Sequence, residues 1–586
     1  MGSIDPPTLA LGSAVVLALF FNYTLRPPPP QVHPFLLGRQ SLPAPTRNEG
    51  ESPVYTSSAN GGARTLPRPD RAIRTLADVV AKSETCLEGG KRGTWVTGGE
   101  KLAGLVGALR AGLESKLQGV TGSVLVVVDD PTDALLVTLA LATSPLHPVV
   151  LAPGSSLPTS LDHDLAAVVK ASDRTDLGAA LGDRKCLDLS DVDAAHDLVA
   201  TGRSLGSAAA AALGAEAGDK VDVNEVALTI VSDGLLLPFT HQNLTASLAA
   251  WLSLFPASPQ ATKPTLRDSA LSFHHPATPH GFGLALMLVY QSASLSFPPL
   301  PSAGDLALAP ADAPNDADEA LAAKERAAEA WCAVFAPKPA ATLVFAPSHL
   351  VDEPLYALVL HKILGDSSVI VRKARDGKLR LLREGTVSKQ TFWDSLLWKG
   401  LRKDIHLTSL RGLFLSVSAP SSTSTTSSSA AIPQSHLDTF RCALGCPVVP
   451  LLAHAALLAP IAVANMWDVQ RLPPPGAVRL AGDERGHVGA VAAGCEVKLV
   501  GEEGDFAKGR VRGELLLRTP LLPSPAALPP HLLRTDTSLP ALPPYPAAGQ
   551  GAPASASTEG ARWFRTGVRA EMSTEGTLWL EERKAQ

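Results

Sequence analysis

The stretch TIVSDGLLLPFTHQNL, residues 229–244, follows an apolar run from Val226 to Ile230 that reads as a strand. A strand, a small-residue turn and a helix start at Thr240 form the local frame of a phosphate-binding loop. In such a loop, backbone N–H groups and a helix N-terminus face the anion. Here the turn holds Ser232, Asp233 and a single glycine, Gly234, and no lysine follows. Ser, Asp and Gly in this order are also ordinary turn chemistry, and the G-x-S-x-G elbow of a nucleophilic serine is missing.

Other residues of chemical interest give weaker signals. Cys442 and Cys446 are four apart, with no companion CxxC and no His pair, so they read as buried helix thiols rather than metal ligands. His274, His275 and His280 lie in HHPATPH with no acid or cysteine beside them, so no metal site is assigned. Trp393 and Trp398, with Lys399, Arg402 and Lys403 beside them, read either as a membrane-facing or partner-facing patch or as a helix half-packed on the body with a solvated basic face.

The elements that must position these groups follow from periodicity. The chain has 586 residues, 45% hydrophobic and 18% charged, enough for a large core and several subdomains. Its net charge of -5 and scattered basic residues argue against a nucleic-acid partner. Six cysteines in so long a chain make no disulfide framework. SVLVVVDDPTDALLVTLALATSPLHPVVLAP reads as a βαβ unit, which implies a parallel sheet buried on both faces. Strands near 227–231, 270–273, 341–347 and 412–420 and helices over 240–254, 281–291 and about 316–334 follow. From 486 onward the period becomes two, as in half-buried antiparallel strands. A Ser-rich insertion at about 420–432 and a Pro/Ala/Ser-rich one at 521–560 interrupt the chain. The fold class expected is α/β, two parallel-sheet lobes plus a β-rich third subdomain, with lobes over 71–485 and the β-rich part over 486–586.

Residues 8–25, TLALGSAVVLALFFNYTL, carry no charge and as a helix would span roughly 27 Å, close to the bilayer hydrocarbon core. Residues 1–26 are therefore expected to be a membrane anchor with the remainder facing the cytosol, and 27–70 a Pro-rich tether.

Five landmarks in order resemble those of the adenylate-forming (AMP-binding) acyl-CoA synthetases, with features of the long-chain fatty-acid-CoA ligase branch. They are FTHQNL (239–244), FHHPATPHGFGLALMLVYQSASL, GHVGAVAAGCEVKLV, RGELLLRTP and RWFRTG. The resemblance covers about 70–586 and implies a fold with a nucleotide site and an acyl pocket. Carried over by motif, it implies Thr229, Ser232, Gly234, Thr566 and Gly567 as remnants of the nucleotide site, and His280 and Gly281 as acyl-pocket candidates.

The residues that do the family's chemistry differ. LLLPF stands where the glycines and lysine of the phosphate loop belong. Ala456 stands near the position of the Mg²⁺-binding glutamate, and Val568 stands for the acid that grips the ribose. The sequence stops before the family's C-terminal lid. The resemblance therefore implies a catalytically impaired relative, with no catalytic residue and no cofactor assigned. Such a protein would bind a fatty acyl ligand or a protein partner at the endoplasmic reticulum, peroxisome or lipid droplet. Two alternatives stay open: an active divergent fatty-acid-CoA ligase using ATP and Mg²⁺, and a structural scaffold with no ligand.

Overall fold

The computed structural model describes residues 7, 10–16, 31–58, 68–84, 102–120, 122–156, 165–171, 185–189, 192–205, 222–255, 263–298, 330–336, 340–364, 369–418, 431–469, 486–501, 511–523, 527–540 and 560–581. The expected α/β architecture is present as two sheets.

The smaller sheet has six strands in the order Lys185–Asp188, Leu165–Ala171, Ser123–Val128, His147–Leu151, Val226–Ser232 and Leu235–Thr240. The first five pair in parallel, as the βαβ reading required, and only the last pair is antiparallel. Ser123–Val128 is buried over five of its six residues, as a continuous apolar run covered on both faces should be. The helix that follows, Pro131–Ala142, starts on an Asp130 side chain that accepts from the N–H groups of Thr132 and Asp133, with proline at its first position.

In the larger sheet, Ser294–Ser296, Ser269–Ser272, Leu343–Pro347, Gly412–Ser418 and Val448–Ala453 run in parallel. Ala462–Val463 and Gly489–Val491 then continue the same ladder in antiparallel pairing into Thr577–Leu580, Gly560–Met572, Val511–Arg518 and Glu496–Val500. The second lobe and the β-rich part are thus one hydrogen-bonded sheet. The sequence shows only the change of period, because a ladder that passes from parallel to antiparallel leaves no mark of which strands meet.

Two stretches differ from expectation. Within the stretch expected to be a tether, Ser41–Pro43 and Tyr55–Ser57 form a hairpin, and Tyr55 and Thr56 pair with Val497 and Glu496. Lys498, 1% exposed, reaches back to Glu51 at 2.7 Å, which fixes this segment to the sheet edge. Within 521–560, Leu533–Pro540 forms a strand against Gly560–Met572. Proline spacing predicted open chain in both cases, but Pro43 and Pro540 sit on strands paired on one side only among the described residues, where proline is tolerated.

Of the expected anchor, residues 10–16 are helical and exposed, and most of the rest of 8–25 lies outside the described residues. No described helix is long and apolar enough to cross a membrane. The Ser-rich insertion at 420–432 and most of the helix expected at 316–334 also lie outside the described residues.

Candidate functional site

Residues 226–240 form a β-hairpin. Val226–Ser232 pairs with Leu235–Thr240, and Ser232 opposite Leu235 closes the turn. Only Asp233 and Gly234 form that turn, and both have positive φ, 51° and 74°. Two-residue hairpin loops need this conformation, and Asp-Gly is among the sequences that take it most readily. LLLPFT, expected to be turn and helix approach, is therefore a strand. The signal was in the sequence as the Asp233-Gly234 dipeptide between apolar runs.

Four polar residues of the stretch 229–244, Thr229, Thr240, His241 and Asn243, have structural tasks. Thr229 Oγ1 lies 3.0 Å from His147 Nε2. Thr240 caps the helix His241–Leu252 in a reciprocal box: its side chain accepts from the Asn243 N–H, and the Asn243 side chain accepts from the Thr240 N–H. Asn243 Nδ2 also donates to the carbonyls of Pro520 (2.7 Å) and Leu522 (3.1 Å), tying this helix to the chain just beyond Val511–Arg518. His241 Nδ1 accepts from the Leu76 N–H, and burial pushes its pKa down to about 4. The THQNL motif thus joins the two sheets. It leaves the turn with the backbone of Asp233 and Gly234 and one carboxylate, whose pKa burial raises.

Thr566 and Gly567 lie in the other sheet, on Gly560–Met572. The Thr566 hydroxyl donates to the Leu515 carbonyl at 2.7 Å and accepts from the Val568 N–H. The loop His454–Leu457 lies against this strand. The His454 ring sits edge-on to Phe564 at 5.2 Å, and its Nδ1 accepts from the Ala456 N–H. Burial drives the His454 pKa down to about 4, with a backbone hydrogen bond to Thr566 acting the other way. The positions expected to hold the metal ligand and the ribose acid thus carry Ala456 and Val568, 1% and 4% exposed, in the main apolar core.

Mg²⁺ takes hard oxygen ligands, and neither methyl nor isopropyl groups supply them. Among the described residues, no group of three or more His, Cys, Asp or Glu is placed to hold an ion. A two-residue turn bearing an aspartate has neither the length nor the cation to surround a triphosphate. These residues do not fit MgATP in the manner the resemblance implies. The structure gathers Thr229, Ser232 and Gly234 on one hairpin and Thr566 with Gly567 on the other sheet. Among the described residues, no hydrogen bond joins the two groups directly.

His280 and Gly281 start the helix Pro279–Tyr290, capped by Thr278. Gly281 faces the His275 carbonyl so closely that a β-carbon would collide with it. The His280 ring is buried beside Trp251 (5.1 Å) and His274 (4.9 Å), and neither ring nitrogen has a partner. Burial drives its pKa down to about 3, which favours the neutral ring. His274 Nε2 meets Ser416 Oγ at 2.8 Å, while that hydroxyl can donate to the Ala346 carbonyl, so the Nε2–H tautomer of His274 satisfies both bonds. Trp251 Nε1 donates to the Leu458 carbonyl at 2.9 Å, linking this cluster to the His454 loop.

No family model matches the chain, and no curated relative matches it. Solved structures do. A long-chain-fatty-acid-CoA ligase from Archaeoglobus fulgidus is similar over 89% of this chain and 86% of its own, at 13% identity and a TM-score of 0.50. A fatty acyl CoA synthetase from Mycobacterium tuberculosis is similar over 88% of this chain and 79% of its own, at 11% identity and a TM-score of 0.50. At these identities the likeness is one of fold.

Proposed function

We propose that this chain, which has the fold of the adenylate-forming acyl-CoA ligases, is a ligase-like protein that does not form acyl-adenylate. In this reading it handles fatty acyl ligands or a protein partner at a lipid-handling membrane such as endoplasmic reticulum, peroxisome or lipid droplet, held there by residues 8–25.

The observation that carries the reading is the Asp233–Gly234 hairpin in place of a phosphate loop. The burial of Ala456 and Val568 at the expected acidic positions supports it independently. Removing one preorganised donor from such a site costs on the order of 10²–10³ in rate, and here the lysine and both acids are replaced together. The fold likeness to a long-chain-fatty-acid-CoA ligase and a fatty acyl CoA synthetase is what favours an acyl ligand.

ATP–pyrophosphate exchange with a panel of fatty acids tests the loss of adenylation. Background exchange with every acid is the expected result, and robust exchange with any of them would make the chain an active, divergent ligase. Calorimetry with an acyl-CoA tests the ligand: saturable heat is expected, and none with any chain length argues for a scaffold.

A further inference from the structure

The segment Val369–Asp404 carries a feature the proposed function does not use. The helix Val369–Arg383 holds six basic residues (Arg372, Lys373, Arg375, Lys378, Arg380, Arg383) in a chain whose net charge is -5. A π-helical turn, Asp394–Trp398, leads into the short helix Lys399–Asp404. The two parts pack side by side. Gly377 faces the Trp393 ring so closely that a β-carbon would lie 2.8 Å from its Nε1. Asp394 receives Lys378 Nζ at 2.5 Å and Arg402 Nη1 at 2.8 Å, all three side chains being nearly fully buried.

Three observations coincide on this surface. By helical spacing, Lys373 and Arg380, four before and three after Gly377, share the helix face that meets Trp393; both are exposed, and the exposed Asp376 is the one carboxylate beside them on this helix. Beyond Trp393 stand Phe392 and Leu396, 68% and 58% exposed, which nothing in the fold covers among the described residues. Beside Phe392 opens a cavity of about 310 Å³ lined also by Lys389, Gln390, Thr391, Ser395, Lys399 and Arg402, with Asp394 its only carboxylate. Arg402 is committed to Asp394, so the cations the lining offers are Lys399 and Lys389, whose Nζ also donates to the Thr408 and Leu410 carbonyls.

We infer that this surface docks on an anionic lipid bilayer, with a phosphate headgroup in the cavity and Phe392 and Leu396 in the interfacial layer. Charge complementarity selects the occupant. Basic side chains ring protruding apolar ones, the arrangement that lets lysine and arginine stems lie along the membrane while their heads reach phosphates. An acidic protein segment would need an apolar recess rather than protruding side chains. The contact is separate from residues 8–25, which carry no charge and so confer no preference for anionic lipid.

The test is flotation of the full chain with phosphatidylcholine vesicles and with phosphatidylcholine–phosphatidylserine vesicles, for the wild type and the triple variant K373E/R380E/K399E. At about fivefold per juxtamembrane charge near an anionic surface, the three charges removed in the variant should give wild type a preference for anionic vesicles on the order of 100-fold, and the variant should show no preference. Because residues 8–25 would float the chain with either vesicle, equal flotation is decided by the exchange readout that follows, compared between the two vesicle types. A preference the variant retains overturns the inference. So does saturable binding of polyglutamate without a vesicle preference. Slowed amide exchange over 390–403 of the wild-type chain on adding anionic vesicles is a second readout that needs no variant, and unchanged exchange there overturns the inference too. None of these outcomes depends on whether ATP or acyl-CoA binds.

Discussion

Asp394 gives the sharpest test of how the second lobe is held together. Its carboxylate is shared by Lys378 and Arg402 and also accepts from the Thr391 N–H at 3.0 Å. Replacing Asp394 by Ala leaves an ammonium and a guanidinium buried without their counter-charge. Breaking a buried ion pair in this way costs about 3–5 kcal/mol. Trp393 and Trp398 flank the site, so urea unfolding followed by tryptophan fluorescence reads it directly. The triple variant K378M/D394L/R402M should recover most of the loss, because apolar replacement of a whole buried network is often neutral.

The pH dependence has a definite sign. Burial alone would raise the Asp394 pKa, but the hydrogen bonds from Lys378 and Thr391 and the two neighbouring cations hold it below the usual carboxylate value. A carboxylate depressed on folding contributes stability that is present above its unfolded pKa of about 3.9 and lost as pH falls through the lower folded value. Wild type and Asp394→Ala should therefore begin to converge in stability below about pH 4 and meet only below the lower folded pKa. A loss under about 1 kcal/mol at pH 7, or a difference that persists undiminished at pH 2, would refute the claim that this triad is a buried charge cluster.

Three further outcomes follow from the site. His280→Leu should leave stability unchanged or raise it by about 1–3 kcal/mol, because both ring nitrogens are unpartnered in an apolar pocket; a lower thermal midpoint would contradict this. Asn243→Ala should cost about 2–3 kcal/mol through loss of the cap and of the bonds to Pro520 and Leu522, read by chemical denaturation. Gly234→Val should cost about 1–2 kcal/mol, since a β-branched residue resists φ of +74°; an unchanged midpoint would show that the turn is not held as described.

The sequence makes the order of elements legible where a local signal exists. The βαβ unit was readable because its strands are uninterrupted apolar runs, and the start of His241–Leu252 because Thr240 and Asn243 form a cap. The Asp233-Gly234 hairpin was equally local but was masked by the expectation of a loop. Ala456 and Val568 could be assigned by motif position, yet only the fold shows that both are packed in the core. Long-range pairings were not readable. Glu51 with Lys498, and Asn243 with Pro520, join residues hundreds of positions apart, and no period or composition announces them. The Lys378–Asp394–Arg402 triad is closer in sequence, 16 and 8 residues apart, but its members come from separate helical segments whose packing no helical or strand period announces, although the basic residues near Trp393 and Trp398 are visible as a patch.

The central claim is that the fold persists while its triphosphate and metal positions do not. Equilibrium dialysis of the full chain against labelled ATP with Mg²⁺ tests it most directly. The account predicts no saturable binding up to about 1 mM, the upper end of ordinary substrate affinities. Saturable binding that tightens with Mg²⁺ and weakens on Asp233→Ala would contradict it, since the nucleotide would then be held at the very turn that lacks a cradle.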